Sequence, residues 1–378
     1  MLREKENKKF MVLSTLGIIM VVDAHSWSEL SLFTNFFPYN SFFMPMFVFI
    51  SGYFNQIDKN TDLYLYIKRK FVSLFFPFFI ISFVAYLVQL IVEMIRNGKI
   101  LFGIPEMVKA LSGILSTGYF VPIAGPMWFV PTLFAVECFY ALIKKCILQK
   151  MKWNSGIAFL VFTGMNFWVV FDSRRNYGTT NGLLLIYKCM FFLVFMECGL
   201  IYKHYLEERL RKVNQLVVLI ILLLVNMGRM MVLPRAYDVA FNDIALMKGF
   251  TSPYFVTPLI SSIAGILFWL TMVELFGEAI YRNKTINYVS QNTFWIMGMH
   301  IPLFNILNCV LYIINKKWYA LKGFNEEEFQ VSFWYRWEEY TQFRFAYFVM
   351  GLVGAILTKK LVDLIKELIR SKLNIKQW

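Results

Sequence analysis

Long apolar runs separated by short basic clusters constrain the fold more strongly than any other feature of this sequence. An α-helix rises about 1.5 Å per residue, so a run of roughly 20 apolar residues can cross the hydrocarbon core of a bilayer. Such runs cover residues 10–28, 36–54, 71–95, 127–143, 156–170, 182–202, 215–233, 253–275, 293–314 and 345–365. Apolar residues make up 58% of the chain and charged residues only 16%, which is too little charge for a water-soluble surface. The sequence predicts an all-α, polytopic transmembrane helix bundle of about ten spans.

The distribution of Lys and Arg predicts the orientation of the chain. With the amino terminus inside, 24 of the 38 basic residues fall in cytoplasmic segments and 13 in outer segments, while Lys188 lies within a span. Cytoplasmic segments of membrane proteins are enriched in basic residues, so both termini are predicted to be cytoplasmic. The expected location is the plasma or inner membrane. Since no internal repeat and no Gly/Ser linker interrupts the pattern, one membrane domain is expected over residues 1–378.

The formal net charge of +14 does not indicate nucleic-acid binding, because the basic residues stand in short clusters between apolar runs. The five cysteines lie in or beside apolar runs and form no CxxC or Cys/His ligand spacing, so neither a disulfide framework nor a metal site is expected. The first run begins at Phe10 and continues to His25 and Trp27 without a small-residue cleavage pattern, so it is predicted to be the first span.

Two of the three histidines fall inside apolar runs. His204 lies in a charged loop, whereas His25 and His300 lie in or near predicted spans, where an ionisable side chain is costly and indicates function. At the helical rise, His25 is about 22 Å beyond Phe10 and therefore in the outer half of the membrane. It can take a proton from a hydroxyl near neutral pH. The alternative is a histidine satisfied within the bundle, and spacing alone leaves both open.

Asp23 precedes His25 by two residues, and side chains at this spacing point about 200° apart on one helix. It can line the same cavity if the helix breaks, or pair with a basic residue such as Lys188 or Arg229. A second feature of interest is the predicted outer segment 315–344, where Trp334, Tyr335, Trp337 and Tyr340 alternate with glutamates. Such aromatic rings can stack on sugars, or form an aromatic belt at the membrane interface.

Five short segments occur in an order and spacing that resemble a known family. They are Ser14–Ser26 (STLGIIMVVDAHS), Phe43–Tyr53 (FMPMFVFISGY), Lys68–Pro77 (KRKFVSLFFP), Gly125–Phe134 (GPMWFVPTLF) and Val289–His300 (VSQNTFWIMGMH). Together they resemble the acyltransferase-3 family of integral membrane acyltransferases, and within it the branch of fucose-4-O-acetylase-like sugar O-acetyltransferases. The resemblance covers most of the chain.

The resemblance implies transfer of an acyl group, usually acetyl, from cytoplasmic acyl-CoA to a hydroxyl of an extracytoplasmic or lipid-linked glycan. It implies that His25 is catalytic, and Asp23 could supply the carboxylate that orients its ring. It places Lys68, Arg69 and Lys70 at the phosphates of the donor, although positive-inside topology alone also explains that cluster. The remaining family positions, expected to line the substrate cavity, are Ser51, Tyr53, Trp128, Asn292 and His300.

The predicted function is that of a membrane O-acetyltransferase that uses acetyl-CoA as co-substrate and no metal, with membrane lipid and a glycan or lipid-linked sugar as partners. One alternative is a glycan transporter or export subunit. Another is a non-catalytic partner of a polysaccharide synthase. That alternative arises because Ser14 stands where many family members carry a basic residue. In addition, the family's paired arginines are only partly matched, since Lys70 is followed three residues later by Ser73.

Overall fold

The computed structural model describes residues 2–28, 30, 33, 36–58, 60–151, 154–175, 184–232, 255–318 and 321–372. All regular secondary structure among these residues is helical. The α-helices are α1 (Leu2–Ser26), α2 (Tyr39–Tyr53), α3 (Leu63–Lys70), α4 (Phe76–Asn97), α5 (Ile104–Thr117), α6 (Phe129–Ile143), α7 (Ser155–Arg175), α8 (Leu184–Ile201), α9 (Glu207–Arg211), α10 (Gln215–Val232), α11 (Thr257–Ile280), α12 (Lys284–Gln291), α13 (Thr293–Trp318), α14 (Glu326–Val331), α15 (Thr341–Val349) and α16 (Ala355–Lys372). A 3₁₀ segment, Pro122–Trp128, leads into α6, and π-helical turns join α3 to α4, α8 to α9 and α15 to α16.

Local sequence sets several of these boundaries. The side chains of Asp62, Asn283 and Asn325 accept hydrogen bonds from backbone N–H groups in the first turns of α3, α12 and α14. These bonds satisfy donors that have no partner within the helix. Gly98 ends α4 at φ 65°, in the left-handed region that glycine adopts without steric cost.

Seven helical stretches among the described residues are long and apolar enough to cross a membrane, which confirms the prediction of a polytopic helical protein. They are Lys8–Ser26, Leu63–Asn97, Pro122–Leu148, Ser155–Ser173, Leu184–Arg211, Thr257–Phe276 and Thr293–Trp318. The predicted run 156–170, the shortest, is thus part of a full-length apolar helix.

Three predicted runs form helices that are not both long and apolar enough to be counted among these seven stretches. The run 36–54 folds as α2, which has only 15 residues because Pro38 precedes its first turn. The run 215–233 gives a shorter apolar helix, Gln215–Gly228. The run 345–365 lies in α15, the π turn Met350–Gly354 and the strongly charged α16. Residues 182–183, 233 and 253–254 of the predicted runs lie outside the described residues. A count of ten spans therefore stays a prediction.

Helices α2 and α8 pack with their backbones in contact. A Cβ atom added to Gly52 would lie 2.0 Å from the carbonyl oxygen of Met196, and one added to Gly199 would lie 2.1 Å from that of Phe49. Small residues permit this approach, which provides van der Waals contact between helices that the hydrophobic effect cannot drive together in lipid. Gly52, expected from the family resemblance to belong to a small-residue turn, lies in the last turn of α2.

A buried ionic network joins the ends of four helices at one end of the bundle. The Lys9 ammonium on α1 donates to the hydroxyl of Tyr202, directly after α8, at 3.3 Å. It also contacts the carboxylate of Glu207, the first residue of α9, and lies 2.7 Å from that of Glu274 on α11. The Tyr53 hydroxyl at the end of α2 donates to Glu207 at 2.7 Å. The start of α1 therefore lies beside the ends of α2, α8 and α11, as expected when successive helices alternate in direction. We call this the inner end of the bundle, and the end that carries His25 the outer end.

Candidate active site

His25 and His300 form a hydrogen-bonded pair at the outer end of the bundle. His25 lies in the last turn of α1, and His300 lies in the first half of α13 with its side chain fully buried. The His25 Nδ1 and His300 Nε2 atoms are 2.8 Å apart. The two rings lie nearly parallel, with centroids 5.0 Å apart and 10° between their planes. The two intramembrane histidines that the sequence singles out are thus brought together across 275 positions.

The hydrogen bonds of the pair determine where its protons lie. The His300 Nδ1 atom is 2.9 Å from the backbone carbonyl of Ile296, and a carbonyl can only accept, so Nδ1 carries the proton. In neutral His300 the Nε2 atom then holds a lone pair and accepts from Nδ1–H of His25. Neutral His25 must therefore hold its free lone pair on Nε2, the nitrogen away from His300. This arrangement prepares His25 Nε2 to act as a base or a nucleophile.

An exposed aromatic side chain, that of Trp334, borders the pair. The Trp334 ring centroid lies 5.3 Å from that of His25, and 47% of Trp334 is exposed. Behind Trp334 lies Gly125 of the 3₁₀ segment, where an added Cβ would come within 2.9 Å of the indole. Trp27, two residues after His25, has φ 56° and is also exposed. His25 therefore lies beside the exposed Trp334 ring.

The rest of the predicted aromatic segment is mostly internal. Tyr335 and Trp337 are each 3% exposed. The Tyr335 hydroxyl accepts from the backbone N–H of Asn325, and the Trp337 indole donates to the carbonyl of Lys322. These two rings are core residues of the outer segment, which we define as residues 321–340. Stacking on a sugar is therefore open to Trp334 but not to Tyr335 or Trp337 in this conformation. Residues 319–320 of the predicted segment lie outside the described residues.

Asp23 is buried and supports the turn that follows His25. Its carboxylate accepts from the Ser28 hydroxyl and, at 3.1 Å, from the backbone N–H of Leu30. These bonds hold the chain where it leaves α1 through the left-handed Trp27. The ring nitrogen of His25 that a carboxylate would orient is bonded to His300 instead. The side chain of Arg229, a predicted partner of Asp23, lies outside what the structure describes.

A second group of predicted residues lies toward the inner end and meets at one buried carboxylate. Glu137 on α6 is 2.6 Å from the Lys70 ammonium, and it accepts hydrogen bonds from the hydroxyls of Ser51 and Tyr66. Lys68 and Arg69, by contrast, have exposed side chains. The sequence indicates Glu137 only as one of several acidic residues within spans, because nothing local shows that α2, α3 and α6 converge there.

The predicted site residues therefore divide between two locations. Ser51, Tyr53 and the basic cluster Lys68–Lys70 lie toward the inner end, whereas His25 and His300 lie at the outer end. Lys9 and His25 mark these ends on α1, and their separation in sequence corresponds to roughly 24 Å along the helix.

Two further predicted positions contact groups other than the histidine pair. The Trp128 ring is 6% exposed and stands 4.5 Å from the Lys188 ammonium, in cation–π geometry. The Asn292 side chain donates to the carbonyl of Tyr288 at 2.8 Å, where α12 ends. His300 is eight positions further along, roughly 12 Å up α13. Among the described residues, no three His, Cys, Asp or Glu side chains are placed to hold a metal ion.

Sequence reasoning did not single out Arg336. Its side chain is 6% exposed and its guanidinium carbon lies 4.3 Å from the centre of the Phe304 ring, which packs edge-on against His300 at 5.7 Å. The signal available in the sequence is a lone arginine between aromatic residues in WYRWEEY, a pattern that a predicted interfacial belt also explains.

The helices and the histidine pair define a multi-pass membrane protein with a potential proton-accepting group at one end of its bundle. The sequence model of the family described as an acyltransferase domain matches residues 12–360, nearly the whole chain. The chain belongs to this family, the acyltransferase-3 family, which confirms the resemblance at family level. No curated protein and no solved structure matches the chain.

Proposed function

We propose that this protein is a membrane O-acetyltransferase that moves an acetyl group from cytoplasmic acetyl-CoA to a hydroxyl of a cell-surface polysaccharide or its lipid-linked precursor. The observation that carries the proposal is the hydrogen bond between His25 Nδ1 and His300 Nε2, because it fixes a free lone pair on His25 Nε2. Family membership supplies the reaction class. The proposal places the chain in the branch of fucose-4-O-acetylase-like sugar acetyltransferases.

In the proposed reaction His25 acts as the general base. Its Nε2 takes the proton of the acceptor hydroxyl while the oxygen attacks the thioester carbonyl. The carbon–sulfur bond then breaks, the acetyl ester remains on the glycan, and the imidazolium returns the proton to the CoA thiolate. During the step the His25 cation donates through Nδ1 to His300, a charge-assisted bond that strengthens as the proton is transferred. An acyl-histidine route would use the same Nε2 atom as nucleophile, and trapping with hydroxylamine distinguishes the two.

The donor is proposed to bind at the basic cluster Lys68–Lys70. The phosphates of CoA cannot enter lipid, and the exposed side chains of Lys68 and Arg69 can form charge-assisted bonds to them. Lys70 already neutralises the buried Glu137 and is expected to contribute less. The narrow pantetheine arm would then extend between helices, along the direction of α1, toward His25. Ser51, Tyr53, Trp128 and Asn292 are proposed to line this cavity, and Asp23 is proposed to position His25 by holding the turn after α1.

The proposed topology has ten crossings of the cell membrane with both termini in the cytoplasm, and one membrane domain over residues 1–378. The contacts of Lys9 with Glu207 and Glu274, and of Tyr53 with Glu207, support it. Ten crossings bring the start of α1 to the same face as the ends of α2, α8 and α11. The basic-residue distribution places that face in the cytoplasm.

Replacing His25 tests the proposal. We expect His25→Ala to abolish acetyl ester on surface glycan in cells with normal protein levels. The exposed His204 provides the matched control, and His204→Ala should leave acetylation unchanged. Unchanged acetylation in His25→Ala would refute the assignment. If the wild-type protein transfers no acetyl group while glycan export continues, a glycan transporter or a non-catalytic partner of a polysaccharide synthase would be favoured.

A further inference from the structure

Arg336 carries hydrogen-bond donors that the protein leaves unpaired beside the histidine pair. Its Nη1 donates to the carbonyl of Tyr335 at 2.6 Å and more weakly to that of Phe333 at 3.4 Å. Within the described part of the chain, its Nε and Nη2 atoms are buried and have no hydrogen-bond partner. One aromatic ring, that of Phe304, separates this guanidinium from His300.

The two unpaired nitrogens have a specific geometry. Nε–H and Nη2–H lie on the same edge of the planar guanidinium and form a fork that matches the two oxygens of a carboxylate. Burial lowers the pKa of Arg336 to about 9, so the side chain still carries its charge at neutral pH. A buried cation with unsatisfied donors is costly, which indicates that a ligand completes it.

The charged groups near Arg336 do not fill this fork. Glu338, which attracts the guanidinium, is bonded to Arg344 at 3.2 Å. Arg96 on α4 repels it, and donates to Asn305 and to the carbonyl of Ser332. The site therefore has an excess of positive charge. Arg336 stands two positions after Trp334, the residue whose exposed ring lies beside His25.

We propose that the Nε/Nη2 fork of Arg336 binds a carboxylate of the acceptor, so that the acceptor is an acidic glycan with a uronic-acid residue at or beside the acylated sugar. The inference rests on the proposed function, because it places the glycan at His25. Trp334 supplies an exposed ring beside His25 on which a sugar can stack. In the proposed complex the hydroxyl of the sugar faces His25 and the carboxylate faces Arg336. Because both nitrogens are buried, the proposed binding requires the outer segment to shift.

Binding of defined trisaccharides to the purified protein in nanodiscs tests this inference without turnover. The probes are trigalacturonic acid and its carboxyl-reduced counterpart, and the titration is calorimetric. We expect the wild-type protein to bind the acidic probe about tenfold more tightly or better, and Arg336→Gln to bind both probes equally. Arg336→Lys keeps a charge without the fork and should retain only part of the preference. Lys322→Gln removes a charge from an exposed side chain of the same segment and should retain all of it.

The carboxylate that Arg336 binds could instead belong to the transferred acyl group, as in a succinyl group. Titration with succinyl-CoA and acetyl-CoA separates the two. An acid preference confined to succinyl-CoA and lost in Arg336→Gln would overturn the acidic-acceptor inference, as would equal binding of both trisaccharides by the wild-type protein. His25→Ala should retain the preference for the acidic trisaccharide. Failure of the proposed function would appear as unchanged acetyl transfer in His25→Ala, whereas failure of this inference would appear in the binding titrations. Size-exclusion profiles identify any misfolded variant. If Arg336→Gln misfolds, the binding preference of Arg336→Lys tests the inference in its place.

Discussion

Replacing His300 should slow acetyl transfer without weakening binding of the donor. His300→Ala removes the acceptor of the 2.8 Å bond from His25 Nδ1, and with it the constraint that leaves the lone pair on Nε2. A hydrogen bond between neutral groups contributes about 1 kcal/mol, whereas one to a charged group contributes about 1.5–3 kcal/mol. The bond strengthens as His25 becomes protonated in the transition state, and the loss of this added strength falls on kcat.

The expected size of this loss follows from those energies. The charged bond exceeds the neutral one by about 0.5–2 kcal/mol. At about 1.4 kcal/mol for each factor of ten, kcat should fall roughly 2- to 30-fold while the KM for acetyl-CoA stays nearly constant. The assay measures transfer of radiolabelled acetyl from acetyl-CoA to glycan by purified protein in nanodiscs. His300→Gln should recover part of kcat, because an amide oxygen can accept from Nδ1–H, and His204→Ala should match the wild-type protein.

The reasoning about the proton positions would be refuted by two results. In one, His300→Ala retains the wild-type kcat with a normal melting temperature. In the other, His300→Gln and His300→Ala are equally impaired although both fold, which would assign His300 a packing role and not a hydrogen-bonding one.

Two further predictions concern the packing of the bundle and the donor site. Gly52→Ala places a methyl group 2.0 Å from the Met196 carbonyl oxygen and should destabilise the protein by about 1–3 kcal/mol. Gly164→Ala, whose added methyl group would meet no described atom within 4 Å, should not. Melting curves followed by fluorescence-detected size exclusion measure both, and equal melting temperatures would contradict the backbone contact between α2 and α8. Replacing Lys68 and Arg69 with Gln should raise the KM for acetyl-CoA about tenfold or more with kcat nearly unchanged. An unchanged KM would leave that cluster a topological signal only.

The sequence predicts the features of this protein that depend on local pattern. Apolar runs predict the helices, and the distance from Phe10 to His25 predicts that these residues lie at opposite ends of the bundle. Ordered short segments are sufficient to recognise the family. The boundaries differ most where a proline shortens an element, as Pro38 does at α2, or where charge interrupts an apolar run, as in α16.

Contacts between distant residues could not be predicted in the same way. Both histidines were identified, but their pairing depends on how α1 packs against α13, and no spacing in the chain encodes it. The same holds for Glu137, whose three donors come from other helices. Asp23 shows that proximity in sequence does not ensure contact. It was expected to orient the His25 ring, but its carboxylate accepts hydrogen bonds from the turn that follows α1.

A vectorial assay tests most directly whether His25 serves a donor from one face and an acceptor from the other. Sealed proteoliposomes with the cytoplasmic face outward receive labelled acetyl-CoA outside and enclose the glycan acceptor. We expect labelled acetyl ester to accumulate on the enclosed glycan with the wild-type protein and with His204→Ala, and none with His25→Ala. Acetylation of the enclosed glycan by His25→Ala, or transfer by the wild-type protein only when both substrates share one face, would contradict the proposed transfer across the membrane at His25.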